Sequence, residues 1–542
     1  MENNKLSFHQ ETIQINCHDV SSITTTTTHN DNDTIARKEI GITETTETTA
    51  QYITTTSTID NNNNDNDDTK TRSVPFRKWW EFWKTEPSDV DPHTFSKTKK
   101  SFILAIIASA GAMAPISSTV YYPALTNVQY ELNTTDTAVN ASVSLFVFVT
   151  AVFPLMWASW SDKNGRRNIY ILSFAITVVG TILCAVSVNI AMLIVFRGVS
   201  AIGASSVQSM GAGTLSDIFD SHERGRAYAW YVLGPIMGPA IGPIIGGFLT
   251  EAYGWRSTFY FSACFGFCIL LLIIFFLPET FRSKEKAQSV LTEKEEEMGQ
   301  EKPEPREERK HKTRFTNPLS PLRFLKLLNV SLAVLYLGIL FGVYYLLNTS
   351  FAWVFANQYK LDSGIIGACY LPAAVGGMIG GNIGGRLSDA VYNRTVKKAT
   401  DNQQEKNPEM RISIPILSVS ALFLLGVLTG YGWSIKQNVH YSAPMVFSFF
   451  VSGAIMLPHV TLTTYLVDSH RSHGASVTSC NNLSRYIFAG VGSLTSSDLM
   501  RAMGTGILFT GCGILILLLG IPVIFVKLNP EKWSQKRKQM RV

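Results

Sequence analysis

Apolar runs of about twenty residues recur from Ser101 onward, each closed by a polar or charged break. About twenty apolar residues form a helix long enough to cross a bilayer. Twelve runs meet that length. They lie near 101–124, 139–159, 169–188, 190–212, 227–250 and 257–278, then 328–350, 364–385, 412–433, 441–466, 474–495 and 504–527. The break after the sixth run, about 281–325, holds KEKAQSVLTEKEEEMGQEKPEPREERKHK and is expected to be a solvated linker. Six runs, a linker and six more runs form an internal-repeat signal. The expected units are a disordered cytoplasmic tail over 1–100, a first set of six helices over 101–280, a charged cytoplasmic linker over 281–327, a second set over 328–528 and a basic cytoplasmic tail over 529–542.

Composition sharpens this picture. Of 542 residues, 46% are hydrophobic and 16% charged, and the mean hydropathy is +0.12. A soluble globular chain carries roughly 25% charged residues. The same balance excludes a wholly disordered chain, a coiled coil and a collagen-like fibre. Lys plus Arg minus Asp plus Glu is 47 − 41 = +6, without a single basic block, so nucleic acid is not an expected partner. The first hundred residues carry Thr runs (Thr24 to Thr28, Thr54 to Thr56) and the Asn- and Asp-rich stretch Asp60 to Asp68. They bury too little apolar surface to offset ordering entropy. The Met1 end lacks the apolar core of a signal peptide, so insertion is expected to begin at an internal span. Ser73 to Lys84, SVPFRKWWEFWK, mixes Phe76, Trp79, Trp80, Phe82 and Trp83 with Arg77, Lys78 and Lys84. Such a mixture suits the headgroup region, and a flexible linker is the alternative. Cys184, Cys264, Cys268, Cys369, Cys480 and Cys512 fall in apolar runs without metal-site spacing, as small hydrophobes; no metal is expected.

Cations set the orientation. Lys163, Arg166 and Arg167 follow the second run, Arg224 and Arg226 the fourth, Arg386, Arg394, Lys397, Lys398, Lys406 and Arg411 the eighth, and Arg471 the tenth. Lys97, Lys99 and Lys100 precede the first. The opposite side has Arg256, Lys360, Lys436 and Arg501. Both termini and the linker are therefore expected in the cytoplasm. Asn133-Thr134-Thr135 then falls in the first outer loop as a formal glycosylation acceptor, expected to stay unused so close to the membrane.

The loop after the second run reads Ala158-Ser159-Trp160-Ser161-Asp162-Lys163-Asn164-Gly165-Arg166-Arg167, and Gly385-Arg386-Leu387-Ser388-Asp389 echoes it after the eighth. The fifth run carries Gly234, Gly238, Gly242 and Gly246 on one helical stripe, with Pro235, Pro239 and Pro243 beside it and Gly247 next in sequence. Four-residue spacing of small residues lets another backbone approach, and the prolines bend the helix. Gly376, Gly380 and Gly384 form a similar stripe in the eighth run, with Gly377, Gly381 and Gly385 alongside. Spans five and eight are expected to meet through these stripes.

Asp162, Lys163, Gly165, Arg166 and Arg167 resemble the signature loop of the major facilitator superfamily, with Ala158 where Gly is usual. The resemblance covers about residues 95–530. It implies an all-α membrane protein of twelve transmembrane helices in two pseudo-symmetric six-helix bundles. It also implies a gating latch in which Asp162 faces a helix N-terminus of the other half and Arg166 pairs with Asp217, made in the outward-open state and broken in the inward-open one. Arg197, after Leu193 and before Ser200, Ala201, Gly203 and Ala204, resembles the arginine of a motif linked to proton coupling, although Ser200-Ala201 replaces the usual Gln-Gly. The Gly-Pro stripe resembles the antiporter motif of exporters. Asp217, Glu223, Arg224 and Gly225, Gly254-Trp255-Arg256 with Phe259, and Leu277-Pro278-Glu279-Thr280 resemble twelve-span drug exporters. Cys480-Asn481-Asn482-Leu483-Ser484-Arg485 is similar to the fungal group of quinidine-resistance, polyamine and dityrosine exporters.

No Asp or Glu stands clearly at mid-span; Asp162, Asp217, Glu251, Asp389 and Asp468 lie near span ends. Arg197 and Arg485 are intramembrane charges, functional by default. If both face one cavity, they favour carboxylate cargo. His459 is a candidate proton site, against a packed histidine. Tyr121, Tyr122, Tyr344, Tyr345, Phe351 and Trp353 are cavity candidates, against interfacial belts. Asn348, Asn481 and Asn482 are better ones, since unpaired amides are costly in hydrocarbon. There is no GxxxxGK[ST], HExxH or GxSxG with triad partners, so no enzyme is expected. The expected activity is proton-coupled efflux of small organic molecules across the plasma membrane by a monomer, with substrate, protons and lipid as its partners and no cofactor. The alternatives are a non-transporting sensor of the same fold, an exporter of an organic acid or polyamine, or an uptake system.

Overall fold

A computed structural model describes residues 92–280, 320–403, 407–470, 474–529 and 533, and among these all regular structure is helical. The aromatic-basic segment 73–84, Arg471, most of the linker and nearly all of the C-terminal tail lie outside the described residues.

Eleven described helices are long and apolar enough to cross a membrane. The last, Ser476–Leu528, has 53 residues. As a straight helix it would measure about 80 Å, against a hydrocarbon core of about 30 Å. Gly504, at φ 74° and ψ 157°, breaks it. That conformation is open to glycine and almost closed to other residues. Spans eleven and twelve are therefore 474–503 and 505–528, and the crossings among the described residues number twelve.

The first span runs through Lys97–Thr119 and on through Tyr122–Ala124 to Leu125–Glu131. The second to sixth are Asp136–Asn164, Arg166–Ala185, Ile190–Ala204 continued by Ser206–Ile218, Ser221–Tyr253 and Arg256–Phe276. The seventh to tenth are Leu328–Asn357, Ser363–Cys369 continued by Leu371–Asp401, Ile414–Lys436 and Ser442–Ser469. Caps explain several starts. The side chains of Thr135 and Asn189 accept from the N–H of Ala138 at 3.3 Å and Met192 at 2.8 Å, satisfying donors that the first turn leaves open. The eighth helix runs on to Asp401, past its apolar stretch, so Arg386, Arg394, Lys397 and Lys398 sit on a helix where a loop was expected. It ends where Gln403 turns to φ 54°.

The crossings alternate between two ends of the molecule. One, here the latch end, carries Gly165 and the Pro408–Arg411 turn. The far end carries Asn133, Gly254 and Gly504. One buried apolar cluster stays within the first six spans, from Ile103 to Leu277. A second joins far-end residues of those spans, such as Leu125, Val143 and Trp255, to the last six. The hydrophobic contact between halves is thus concentrated at the far end.

The glycine stripes correct one expectation. Gly234, Gly238, Gly242 and Gly246 pack on the first span: a Cβ at Gly234 would strike the Ala108 carbonyl, one at Gly242 the Thr119 hydroxyl and one at Gly246 the Val120 carbonyl. The Thr119 hydroxyl also donates to the Gly238 carbonyl at 3.1 Å. Gly376 and Gly380 abut the carbonyls of Phe449 and Gly453 in the tenth span. Each stripe therefore closes its own half. Spans five and eight do meet, but at the far end and through other glycines. A Cβ at Gly247 would lie 2.5 Å from the Ser363 carbonyl and 3.0 Å from the Gly367 Cα.

Candidate functional site

The latch loop is built around a carboxylate that sequence reading did not single out as a site residue. Gly165, at φ 84°, turns the chain between the second and third spans. The Glu279 carboxylate then accepts from the N–H groups of Arg166 at 2.9 Å and Arg167 at 3.1 Å. An anion there satisfies open first-turn donors and the helix dipole together. Arg166 forms an ion pair with Asp217 at the end of the fourth span. Arg167 donates to the Ile274 carbonyl at 2.6 Å. Arg224 donates to the Ser216 carbonyl at 3.1 Å, closing the end of the fourth helix. The side chains of Asp162 and Lys163 lie outside the described residues.

The second half repeats the device. Arg411 lies 3.0 Å from Asp389 and 2.9 Å from Asp468. Spans eight and ten correspond to two and four under the six-plus-six repeat, so Arg411–Asp468 mirrors Arg166–Asp217. Each pair is internal to one half. Arg166–Asp217 was expected to form in the outward-open state and break in the inward-open one; in this structure it is formed.

Among the described residues, most polar ties between halves gather at the far end. Asn140 in the second span donates to Ser496 at 3.2 Å and Ser497 at 2.8 Å, and its carbonyl accepts from the Trp353 indole at 2.9 Å. Thr137 donates to Asp498 at 2.9 Å. Arg501 reaches Asp136. The Glu251 carboxylate accepts from the Gly364 N–H at 3.0 Å. Farther in, Gln208 donates to Tyr486 at 3.3 Å.

Beneath the far-end closure lies a cavity of about 40 Å³ lined from both halves, by Thr119, Tyr122, Pro239 and Pro243 and by Tyr344, Tyr345, Asn348 and Tyr370. That is room for about one water, so cargo must widen it. Tyr122 and Tyr370 stack across the seam, with centroids 5.9 Å apart. Of the expected cavity residues, Tyr344 and Asn348 line it; Pro239 and Pro243 of the Gly-Pro stripe, not expected there, line it too. Tyr121 is not: it is buried behind Tyr122 and accepts from Ser142 at 3.1 Å. Asn481 is buried, with its amide 3.5 Å from Thr463, and Asn482 is half-buried; neither lines the cavity. A larger recess, about 500 Å³, lies between spans eight, nine and ten. Its almost wholly apolar lining includes exposed Ile383, Val419 and Phe423, as suits a lipid-facing groove.

The two intramembrane arginines do not share this cavity. Arg197 is sealed in the first half. It donates to the Ser117 carbonyl at 2.9 Å, and the rings of Tyr121 and Phe146 stand 4.6 and 4.5 Å from its guanidinium. Arg485 belongs to the second half and donates to His459 Nε2 at 2.7 Å.

This arrangement of two six-helix halves, a seam cavity and paired latch loops has known counterparts. A family model described as Major Facilitator Superfamily matches residues 107–493. The chain belongs to the major facilitator superfamily. It is similar to the MFS antiporter QDR3 of Candida albicans, 27% identical over 81% of this chain and 79% of that protein. It is also similar to the multidrug transporter DTR1 of Candida glabrata, 30% identical over 82% of this chain and 87% of that one. A bacterial homologue of the human lysosomal transporter Spinster, solved inward-facing and unoccupied, shares the fold at a TM-score of 0.57 and 16% identity, over 81% of this chain and 97% of its own.

This facilitator is accordingly a multi-pass membrane transporter related to drug-efflux proteins, and not an enzyme. Its sequence carried signals for some of the residues missed. Asn140 is a lone amide in an apolar run, a costly placement that asks for partners. Glu279 stood in a recognised exit motif without an assigned contact.

Proposed function

We propose that this facilitator exports small organic molecules across the plasma membrane in exchange for protons, with both termini in the cytoplasm. The observation that carries the reading is the cavity at the seam, lined by spans one and five of one half and seven and eight of the other. A site shared by two halves changes its exposure when they rock. Cationic loops assign the latch end to the cytoplasm, and on that assignment the far-end closure makes this state inward-facing. Gly165, Arg166, Arg167, Asp217, Arg224 and Asp389 hold the cytoplasmic loops rigid, so each half moves as one body. Gly234, Gly238, Gly242 and Gly246 fix span five to span one, while Pro239 and Pro243 turn toward the cavity and Gly247 sets the far-end contact. Arg197 and His459 are proposed to assist coupling. The export direction draws on the Gly-Pro stripe and on the antiporter and multidrug relatives.

The test is retention of a panel of fluorescent organic compounds in cells that express the chain. Export predicts lower retention of at least one compound, abolished by a protonophore. Equal retention of the whole panel with and without the chain contradicts export.

A further inference from the structure

We propose that Arg485, with His459 beside it and the tyrosine-lined cavity above it, binds the carboxylate of an organic acid or zwitterion. The inference rests on the transporter reading and narrows its cargo.

The argument begins with an unpaired charge. Among the described residues, the polar contact of Arg485 is the bond from its Nη1 to His459 Nε2, and its Nε is buried without a partner. A guanidinium only donates, so His459 must accept through Nε2 and contributes no negative charge. The rest of the surroundings are aromatic: the Phe341 ring at 4.1 Å and the Tyr486 ring at 5.6 Å. The described carboxylates stand at span ends, where Asp217, Asp389 and Asp468 already serve other arginines. A cation held among spans without an anion is costly, and an incoming carboxylate relieves that cost with paired hydrogen bonds.

Position makes the charge available to cargo. The Phe341 ring lies tilted against His459 at 5.1 Å and against Tyr344 at 6.2 Å. Tyr344 and Tyr345 line the seam cavity, and Tyr345 lies within electrostatic range of Arg485. Phe341 is one helical turn nearer the latch end than Tyr344 and Tyr345, so Arg485 sits on the side from which an inward-facing cavity fills. Tyr486, next to Arg485, receives the Gln208 bond across the seam. An aromatic acid thus places its ring among Tyr122, Tyr344, Tyr345 and Tyr370 and its carboxylate on Arg485. A lipophilic cation meets uncompensated positive charge. Arg197 also has Nε and Nη2 buried without partners, but it is 1% exposed and enclosed by Tyr121 and Phe146, and neither ring lines the cavity, so it supplies no second anion site there.

The test uses the full chain in proteoliposomes with three probes: 4-hydroxyphenylacetate, its amide, and tetraphenylphosphonium. Equilibrium binding and counterflow are measured for each. Wild type is expected to prefer the acid to the amide by about tenfold or more. Arg485→Gln should lose that preference, and Arg485→Lys should keep part of it. Movement of the amide or the cation with no preference for the acid overturns the anion site and leaves the transporter reading standing. An acid preference that survives Arg485→Gln overturns the site too. Acid binding that depends on Arg485 without counterflow of any probe keeps the site and overturns transport. No binding and no movement of any probe overturns both.

Discussion

Arg501 of the eleventh span reaches Asp136 of the second at 3.2 Å, tying the two halves at the far end. The side chain of Arg501 is 60% exposed, and solvent screening leaves an exposed ion pair little net strength. Arg501→Ala should therefore change far-end opening by no more than about fivefold. The readout is labelling of Ala374→Cys, in the seam cavity, by an impermeant maleimide added from the far side.

Asn140 carries more of that closure. It is buried and holds Ser496, Ser497 and the Trp353 indole at once. Asn140→Leu leaves an indole N–H without its acceptor, and a buried orphan donor costs about 1–3 kcal/mol. The same labelling should rise about tenfold or more. A rate equal to that of Arg501→Ala would contradict the ranking.

Two adjacent glycines should fail differently. Gly246 abuts the Val120 carbonyl within the first half, whereas Gly247 abuts Ser363 and Gly367 across the seam. Gly246→Val should lower the amount of folded protein recovered in detergent. Gly247→Val should fold but favour the far-end-open state, seen as faster labelling at Ala374→Cys. Matching losses of folded protein would show that Gly247 is structural as well.

Gly165 combines a positive φ with close contact: a Cβ there would lie 2.5 Å from Glu279 Oε2. Gly165→Ala is expected to cost about 1–3 kcal/mol from the backbone alone, with displacement of Glu279 in addition. Glu279→Gln keeps one acceptor, turns a donor toward the second N–H and removes the charge that favours a helix N-terminus, and should cost about 1–2 kcal/mol. Thermal unfolding of the purified variants checks the order.

The fold was largely legible because bilayer thickness imposes a length on every span, so run length and spacing expose the crossings. Arg166–Asp217 was also readable, through a recognised motif. Contacts set by tertiary packing were not. Gly242 and Gly380 announce close approach, but small-residue spacing names no partner, and each faces a helix of its own half. Tyr121 and Tyr122 are neighbours in sequence, yet the turn after Thr119 buries one behind the other. Arg197 and Arg485 read alike as intramembrane charges; only the fold shows one sealed by rings and the other bordering the seam.

The central claim is gradient-driven movement through the seam cavity. Its most direct test is flux in proteoliposomes reconstituted with the full chain, with a pH gradient imposed in either direction and the compound panel on both sides. Antiport predicts that at least one compound moves against the proton flow, that its direction reverses with the gradient, and that collapse of the gradient stops net movement. Binding of a compound with no gradient-dependent movement in either direction would contradict the account.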